Sequence, residues 1–508
     1  MRLDELLDGI DALDLSNVYP DMEVVAVTSD SRQVAPGSVF VAIPGTRADG
    51  HQFIDAALNA GATVVVQSRP IPPEAVGSFV RVADTRAVYA ELCARLSGRP
   101  SRRLRVIGVT GTNGKTTTVL LIRHLLNAGG RRAAALGTLG LLRPGSSDFE
   151  QRGLTTPDAW QLQQAMRALA DDGATHLVME VSSHALVQER VAGVEFAGGV
   201  FTNLTQDHFD YHGTAEAYRE AKALLFTRHL AMSGGYAVIN GDDATGRELI
   251  GRFQGITVVY GTAPDFNLIL KDVESTPAGL SWDLVIKNGV WPEVLERHVN
   301  VGRMHSPLAG GFNAYNCAAA IAVALLEGLS LDEIERALPD FGSVPGRLER
   351  VPNERGVHVY VDYAHTPDAL RNVLTALDGL RPPGGRIITV FGCGGDRDRE
   401  KRPLMATAAQ QGSDMVIVTS DNPRSEVPEA IVDEMWSGIS ADGCPARREV
   451  DRRRAIRLAL GEARRGDVVL IAGKGHEDYQ ILGDRTIHFS DVEEVQAYLA
   501  NRASAKSE

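Results

Sequence analysis

Short apolar, β-branched runs recur along this chain, and most of them end in a polar, glycine- or proline-bearing turn. Residues 1–98 mix the runs EVVAVTSD, GSVFVAI, ATVVVQS and SFVRVAD with one helical pattern, HQFIDAALNAGA, which predicts a small α/β domain. The arginine-rich RLSGRPSRRLR that follows reads as a linker. Over 99–345 the runs LRVIGVT, AAALGTLG, THLVMEV, AGGVFTNL and YAVIN alternate with helical patterns such as TTVLLIRHLLNAG and AYREAKALLFTRHL. That alternation predicts a mainly parallel sheet covered by helices. Residues 265–300 are more polar and alternate as strands do (GLSWDLVIKNG), as an antiparallel appendage would. FNAYNCAAAIAVALLEGL predicts a long helix opened by an asparagine and closed by glycine.

After SVPGRLE the pattern restarts and fills 346–508. VHVYVDYAHTPDALRNVL, RIITVFGCGGDRD, DMVIVTSDNPRSE and DVVLIAGKGHEDYQ each run from a buried strand straight into a polar loop. Ligands of open α/β sheets collect outside the carboxyl ends of the strands, so all four loops are expected on one crevice. The fold class expected is α/β in three domains, the last one Rossmann-like.

Composition narrows the function classes. A chain of 508 residues is too long for one core. Its net charge of -13 would repel a phosphodiester backbone, which argues against nucleic-acid binding but not against small anions gripped by local cations. Cys93, Cys317, Cys393 and Cys444 are widely spaced, without a zinc pattern, and read as reduced thiols of a cytoplasmic protein. The acidic, amphipathic start MRLDELLDGIDALDL does not read as a signal peptide, and no apolar stretch has the length of a membrane span. A monomer with no membrane partner is expected.

The sharpest local signal is VIGVTGTNGKTTTVLLI, residues 106–122. A strand leads through Gly108, Gly111, Thr112, Asn113 and Gly114 to Lys115, Thr116 and Thr117 at the start of a helix. Glycines let backbone N–H groups curl around phosphate oxygens, and the helix N-terminus adds its dipole. Lys115 would reach the outer phosphates, and the Thr116 hydroxyl would hold Mg²⁺. Valine at 109 replaces the first glycine of the strict pattern. ATP or GTP binding follows; the bland reading, a glycine-rich turn with a surface lysine, does not explain strand, loop and helix in that order.

TGTNGKTTT resembles the nucleotide loop of the Mur ligases and folylpolyglutamate synthetases, which join an amino acid to a carboxylate at the expense of ATP. The resemblance implies that the carboxylate is first phosphorylated, and that an amine then displaces phosphate. It also implies that Glu180 (in THLVMEVSS) and His208 (in QDHFDYHG) hold a second magnesium ion, and that Lys222 (in YREAKALLF) is carbamylated. A carbamate would turn a repelled ammonium into an anionic oxygen ligand. Without the resemblance, Glu180 and His208 are a lone carboxylate and a lone imidazole, and Lys222 reads as a solvent-facing helix lysine.

Motifs outside the phosphate loop resemble one branch of the Mur ligase family over nearly the whole chain. TSDSRQVAPGSVFVAIPGTRADGHQF is similar to the UDP-sugar-binding domain of members that add the third peptide residue, a domain the folylpolyglutamate synthetases lack. The resemblance places Ser31, Thr46, Arg47 and Ala48 on the UDP moiety. It places Thr155, Thr156, Ser182, Gln188 and Arg190 on the muramoyl-dipeptide, where short donors and one cation suit carboxylates. It assigns Asn313, Arg347, Asp362 and His365 to the surroundings of ATP. Arg347 read alone is a salt-bridge residue, and Ser31 a turn residue.

In this family DNPR marks members that add meso-diaminopimelate, and here it comprises Asp421, Asn422, Pro423 and Arg424. An arginine fork grips a distal carboxylate in bidentate fashion, and L-lysine, lacking that group, would leave the fork unpaired. The alternative for Arg424 is an ion pair with Glu426. Asp421 and Glu477 would take ammonium groups, Gly473 would allow close approach, and Arg397 would bind a carboxylate.

The resemblance therefore implies domains at 1–98 (UDP-sugar), 99–345 (ATP) and 346–508 (amino acid). The substrates are ATP, UDP-MurNAc-L-Ala-D-Glu and meso-diaminopimelate, with two Mg²⁺ ions. Domain closure is expected, and His365 and the neighbourhood of Glu180 stay open as the base that deprotonates the amine. Rival readings are an L-lysine-adding ligase, a folylpolyglutamate-type synthetase, and a nucleotide-binding regulator without chemistry.

Overall fold

A computed structural model describes residues 1–45, 48–151, 153–205, 209–287, 291 and 299–504. The chain forms two compact units. The described parts of Met1–Leu268, Lys287–Arg297 and Ala319–Ile334 make the first, and those of Ile269–Ile286, His298–Ala318 and Glu335–Glu508 the second.

The first unit holds two sheets. The smaller runs in the order Ala12–Ser16, Phe79–Val82, Ala62–Gln67, Ser38–Val41, Ala26–Thr28, with only the first pair antiparallel. Helix Thr85–Leu96 is opened by Asp84, whose carboxylate accepts from the N–H groups of Arg86 and Ala87. It buries Tyr89, Leu92 and Cys93 against Val27, Val39, Val64 and Val80. RLSGRPSRRLR is a packed turn rather than an extended linker. Arg99 turns at φ +49, Pro100 and Ser101 are buried, and Arg102 pairs with Glu195 at 2.7 Å.

The larger sheet of this unit orders Thr257–Gly261, Tyr236–Asn240, Phe196–Phe201, Arg105–Thr110, His176–Glu180 and Ala133–Gly137 in parallel, and two short antiparallel strands finish the edge. Its strands are near-continuous apolar runs because helices cover both faces. Glu180 lies level with Val109, and Phe201 with Thr110, so the loops after three neighbouring strands leave the sheet at one edge.

In the second unit, Gly279–Ile286 and Val299–Ser306 pair antiparallel, as expected for 265–300; residues 288–290 and 292–298 lie outside the described set. Helix Phe312–Leu326, which belongs to this unit as far as Ala318 and to the first from Ala319, starts one residue before Asn313, whose side-chain amide turns back to the Ala309 carbonyl at 2.7 Å, and Gly328 at φ +83 follows its end. A second sheet orders Glu349–Val351, His358–Asp362, Val468–Ala472, Ile387–Phe391, Met415–Val418 and Ala446–Arg448, all parallel except the first pair. Asp362, Ala472, Phe391 and Val418 stand in register, so the four polar loops read from the sequence do leave one edge. No described helix is long and apolar enough to cross a membrane.

Candidate active site

Strand Arg105–Thr110 feeds helix Lys115–Ala128 through Gly111 and Gly114, at φ +150 and +83. A Cβ on Gly111 would collide with Thr202 Oγ1, so only glycine lets the loop close on its neighbour. That neighbour is the turn after Phe196–Phe201. The Thr112 and Asn113 amides donate to the Asn203 carbonyl (2.8 Å) and Asn203 Oδ1 (2.9 Å), and Thr202 Oγ1 donates to the Asn113 carbonyl (2.6 Å). Lys115 Nζ lies along the loop, donating to the Gly111 and Thr112 carbonyls at 2.9 Å each. Thr117 is buried in the first turn of the helix.

Glu180 sits 1 % exposed at the next strand end. Its Oε1 accepts from Thr116 Oγ1 and from the Thr138 amide, both at 2.9 Å, and Oε2 from Thr138 Oγ1 at 3.2 Å. The absence of a side chain at Gly137 makes room for this carboxylate. Thr155 Oγ1 lies 3.2 Å from Thr138 Oγ1, and Thr156 Oγ1 donates to the Glu180 carbonyl at 2.9 Å and accepts from the Ser182 amide at 3.1 Å. Thr116, Thr155, Thr156, Glu180 and Ser182 are thus one cluster.

Lys222 is 2 % exposed, which excludes the alternative of a solvent-facing lysine. It shares a face of helix Ala215–Leu224 with Tyr218, four residues earlier, and that face turns inward. Its Nζ lies 4.5 Å from the Tyr218 ring centroid and donates to the Gly111 carbonyl at 2.8 Å. The helix then widens into a π-type turn, Leu225–Leu230, a feature frequent at functional sites. His208 lies outside the described residues, as do Thr46 and Arg47.

Buried hydroxyl and carboxylate oxygens of Thr116 and Glu180 suit a hard cation. Among the described residues no three His, Cys, Asp or Glu side chains gather, so Mg²⁺ would complete its shell with phosphate oxygens and water.

A cavity of about 640 Å³ in the same unit brings Ser31 and Ala48 together with Gln188 and Arg190. Arg190 donates to Gln188 Oε1 (3.0 and 2.6 Å) and to the Thr156 carbonyl (2.8 Å), tying the cavity to the Glu180 cluster. Burial pulls the Arg190 guanidinium below its ordinary pKa, and Asp158, also on the cavity wall, works against that. Arg86 and Tyr89 line this cavity too, and the sequence reading passed over them. They sit in a helix whose pattern speaks only of packing.

In the second unit, Asp362 is buried, and both its oxygens are used by the Leu348 and Ala364 amides at 2.7 Å each. It therefore shapes the turn carrying Arg347, whose guanidinium stacks 5.1 Å over the Tyr363 ring. Burial raises the Asp362 carboxyl pKa, opposed by Arg347 and these amides. His365 is exposed, its Nδ1 2.9 Å from the Tyr363 carbonyl oxygen, and Asn313 is buried and hydrogen-bonded to Asn316 at 2.7 Å.

Around the next strand ends, Asn422 Nδ2 donates to Glu477 Oε2 at 2.8 Å, and the Gly473 backbone (φ +116) leaves a Cβ position only 2.9 Å from Asp421 Oδ2. Between them lies Lys474, 0 % exposed, its ammonium 3.2 Å from Glu477, 3.4 Å from Asn422 and 3.7 Å from Asp421. Inside AGKGHE it attracted no sequence-based role. Glu426 does not pair with Arg424; it is bound by the buried Arg402 at 2.8 and 2.9 Å, which holds its carboxyl down at about 2. Arg424 instead leans on the Gly395 carbonyl (2.7 Å) through one N–H. Arg397 is exposed beside it.

A strand–glycine-loop–helix phosphate site with a buried Thr–Glu pair next to it defines a P-loop α/β protein. The model of the Mur ligase middle domain matches residues 109–324, that of the Mur ligase glutamate ligase domain 346–475, and that of the Mur ligase family catalytic domain 23–96. Curated relatives called UDP-N-acetylmuramoyl-L-alanyl-D-glutamate--2,6-diaminopimelate ligase match at 45 % identity in Gloeobacter violaceus, over 99 % of both chains, and at 48 % in Synechococcus sp. WH7803, over 94 % of both. A solved structure of an enzyme of that name aligns with TM-score 0.69 and 35 % identity over 99 % of each chain. The chain belongs to the Mur ligase family.

Proposed function

We propose that this chain is an ATP-dependent ligase that adds meso-2,6-diaminopimelate to the γ-carboxylate of D-glutamate in UDP-MurNAc-L-Ala-D-Glu, a step of peptidoglycan precursor synthesis. The observation that carries it is the DNPR loop, in which Asn422 donates to Glu477 and Arg424 to the Gly395 carbonyl, in a chain 45 % identical over 99 % of its length to a ligase named for those substrates. Three family models at 23–96, 109–324 and 346–475 support domains of 1–98, 99–345 and 346–508.

The phosphate loop receives ATP, and Lys115 turns from its two carbonyls to the outer phosphates. Thr116 and Glu180, with Lys222 as a carbamate and His208, would hold Mg²⁺, which when bound would supply charge neutralisation for phosphoryl transfer. The cavity lined by Ser31, Ala48, Gln188 and Arg190 takes the UDP-muramoyl-dipeptide, and Thr155, Thr156 and Ser182 lead from it toward Glu180. The γ-phosphoryl passes to the D-glutamate carboxylate and ADP leaves; the diaminopimelate amine attacks the acyl phosphate and phosphate leaves. In the second unit Arg424 and Arg397 face the distal carboxylate, and Asp421 and Glu477 the ammonium groups. Four free cysteines accord with a cytoplasmic setting.

The test is ATP-dependent phosphate release with UDP-MurNAc-L-Ala-D-Glu, offering meso-diaminopimelate or L-lysine in parallel. Release with the first and almost none with the second is expected. Preference for lysine would overturn the role of Arg424, and release with neither would overturn the ligase.

A further inference from the structure

Arg424 is held in a backbone conformation that an L-residue rarely adopts, at φ +52. Pro423 fixes the preceding φ, so the chain turns sharply between them. Both polar groups of the Arg424 backbone are then clamped by the hairpin Tyr479–Leu482/Arg485–His488. Its N–H donates to the Ile481 carbonyl at 3.1 Å, and its C=O accepts from the Gly483 amide at 2.8 Å, a parallel bridge to Leu482. Two further bonds lock the loop just before it. Gln480 Nε2 donates to the Asp421 carbonyl at 2.6 Å, and the Ile481 amide donates to Asn422 Oδ1 at 3.0 Å.

Besides this clamp, the hairpin brings the Tyr479 ring to 5.4 Å from the Lys474 ammonium. It is an isolated two-stranded sheet, marginal by itself, with its second strand exposed along its whole length. Yet Gln480 is 7 % exposed, and a buried amide is placed there to meet one backbone carbonyl. On the other side the GCGG loop is cut to fit: a Cβ on Gly394 would stand 2.8 Å from Arg424 Nη1, and one on Gly395 would collide with the Pro423 carbonyl. One N–H of the fork is anchored on Gly395, and its other N–H groups have no partner among the described residues, which leaves them for an anion.

We infer that the hairpin 479–488 is the specificity clamp of this ligase, with Gln480 as the positioning residue that sets where the Arg424 guanidinium stands. The inference rests on the reading of Arg424 as the group that binds the distal carboxylate. Gln480 touches no substrate; it acts through the Asp421 carbonyl and the loop that follows. Losing its hydrogen bond lets the loop relax from the left-handed turn and moves the fork off the carboxylate.

The experiment compares Gln480→Leu and Arg424→Ala with the unaltered enzyme, measuring KM for all three substrates, kcat, and kcat/KM for meso-diaminopimelate relative to L-lysine. For Gln480→Leu the KM for diaminopimelate should rise roughly tenfold and the preference over lysine fall by a similar factor, with KM for ATP and for the UDP substrate within about twofold. Should that variant not fold, Gln480→Asn, which keeps the amide one methylene short, gives the same readout. An unchanged diaminopimelate KM in Gln480→Leu while Arg424→Ala loses its preference overturns the clamp alone. A uniform fall in kcat with no change in preference also overturns it, since a structural role would do that. An Arg424→Ala enzyme that still prefers diaminopimelate overturns the reading beneath it.

Discussion

Lys222 and Lys115 donate to the same oxygen, the carbonyl of Gly111, at 2.8 and 2.9 Å. Two ammonium groups on one acceptor repel each other, and Lys222 meets that repulsion in a buried setting where water screens little. Addition of CO₂ to Lys222 would convert the repulsion into attraction toward Lys115 and any bound cation. Lys222→Met, which keeps the volume, should lower kcat by roughly 10²–10³-fold without unfolding the chain. The unaltered enzyme should lose activity in CO₂-depleted buffer and regain it with bicarbonate. Equal activity under both conditions would rule out the carbamate.

Lys115→Ala should abolish phosphate release altogether while circular dichroism stays unchanged, because the loop keeps its bonds to Asn203 and Thr202 when those of the lysine are lost. A nucleotide-binding regulator would show no turnover to lose in the first place.

Gly137→Ala probes the carboxylate slot. The new methyl would strike Glu180 Oε1 and displace the carboxylate from Thr116. Misplacement of this order costs roughly 100-fold in kcat, with the KM for the UDP substrate little changed, since its cavity lies along Ser31 and Arg190. An active Gly137→Ala enzyme would show that Glu180 is not needed where it stands.

Arg452 and Asp491 form an ion pair in which both side chains are 0 % exposed, with bonds of 2.7 and 2.6 Å, and Arg452 also donates to the Ser420 and Ala472 carbonyls at 3.3 and 3.0 Å. Arg452→Met leaves Asp491 buried and uncompensated, which should cost about 3–5 kcal/mol in urea unfolding of the second unit. The double variant Arg452→Met/Asp491→Leu should recover much of that loss.

Glu327 accepts from Tyr236 OH at 2.7 Å, lies 3.2 Å from His176 Nε2 and is bound by Arg105. Burial pushes its carboxyl up, but these partners together outweigh burial and bring it down to about 2, from an ordinary 4.5. A depressed carboxyl contributes stability that is fully present above pH 4.5 and lost as pH falls toward 2, here on the order of 3 kcal/mol. Glu327→Gln should therefore be less stable at neutral pH and show a flatter acid limb between those values, read by thermal unfolding at stepped pH.

What the sequence determined by itself is everything that local periodicity and turn chemistry encode. The strand–glycine–lysine order of 106–122 and the four strand-end loops after residue 357 were legible because a strand, its turn and the next helix are contiguous in the chain. Glu180, Asp421 and Arg424 each stand where a buried run stops, but it was the family resemblance of their motifs, and not their position, that singled them out. Tertiary structure alone decided which side chains meet them. Thr138 and Asn203 reach Glu180 and the phosphate loop only because parallel strands distant in sequence end level with one another. Lys222 is buried, and Lys474 is caught among three polar partners, although both look like ordinary lysines in their motifs. Gln480 closes on Asp421 across 59 residues. Such contacts depend on long-range register, which no window of neighbouring residues contains, and that is why the loops were readable and their clamps were not.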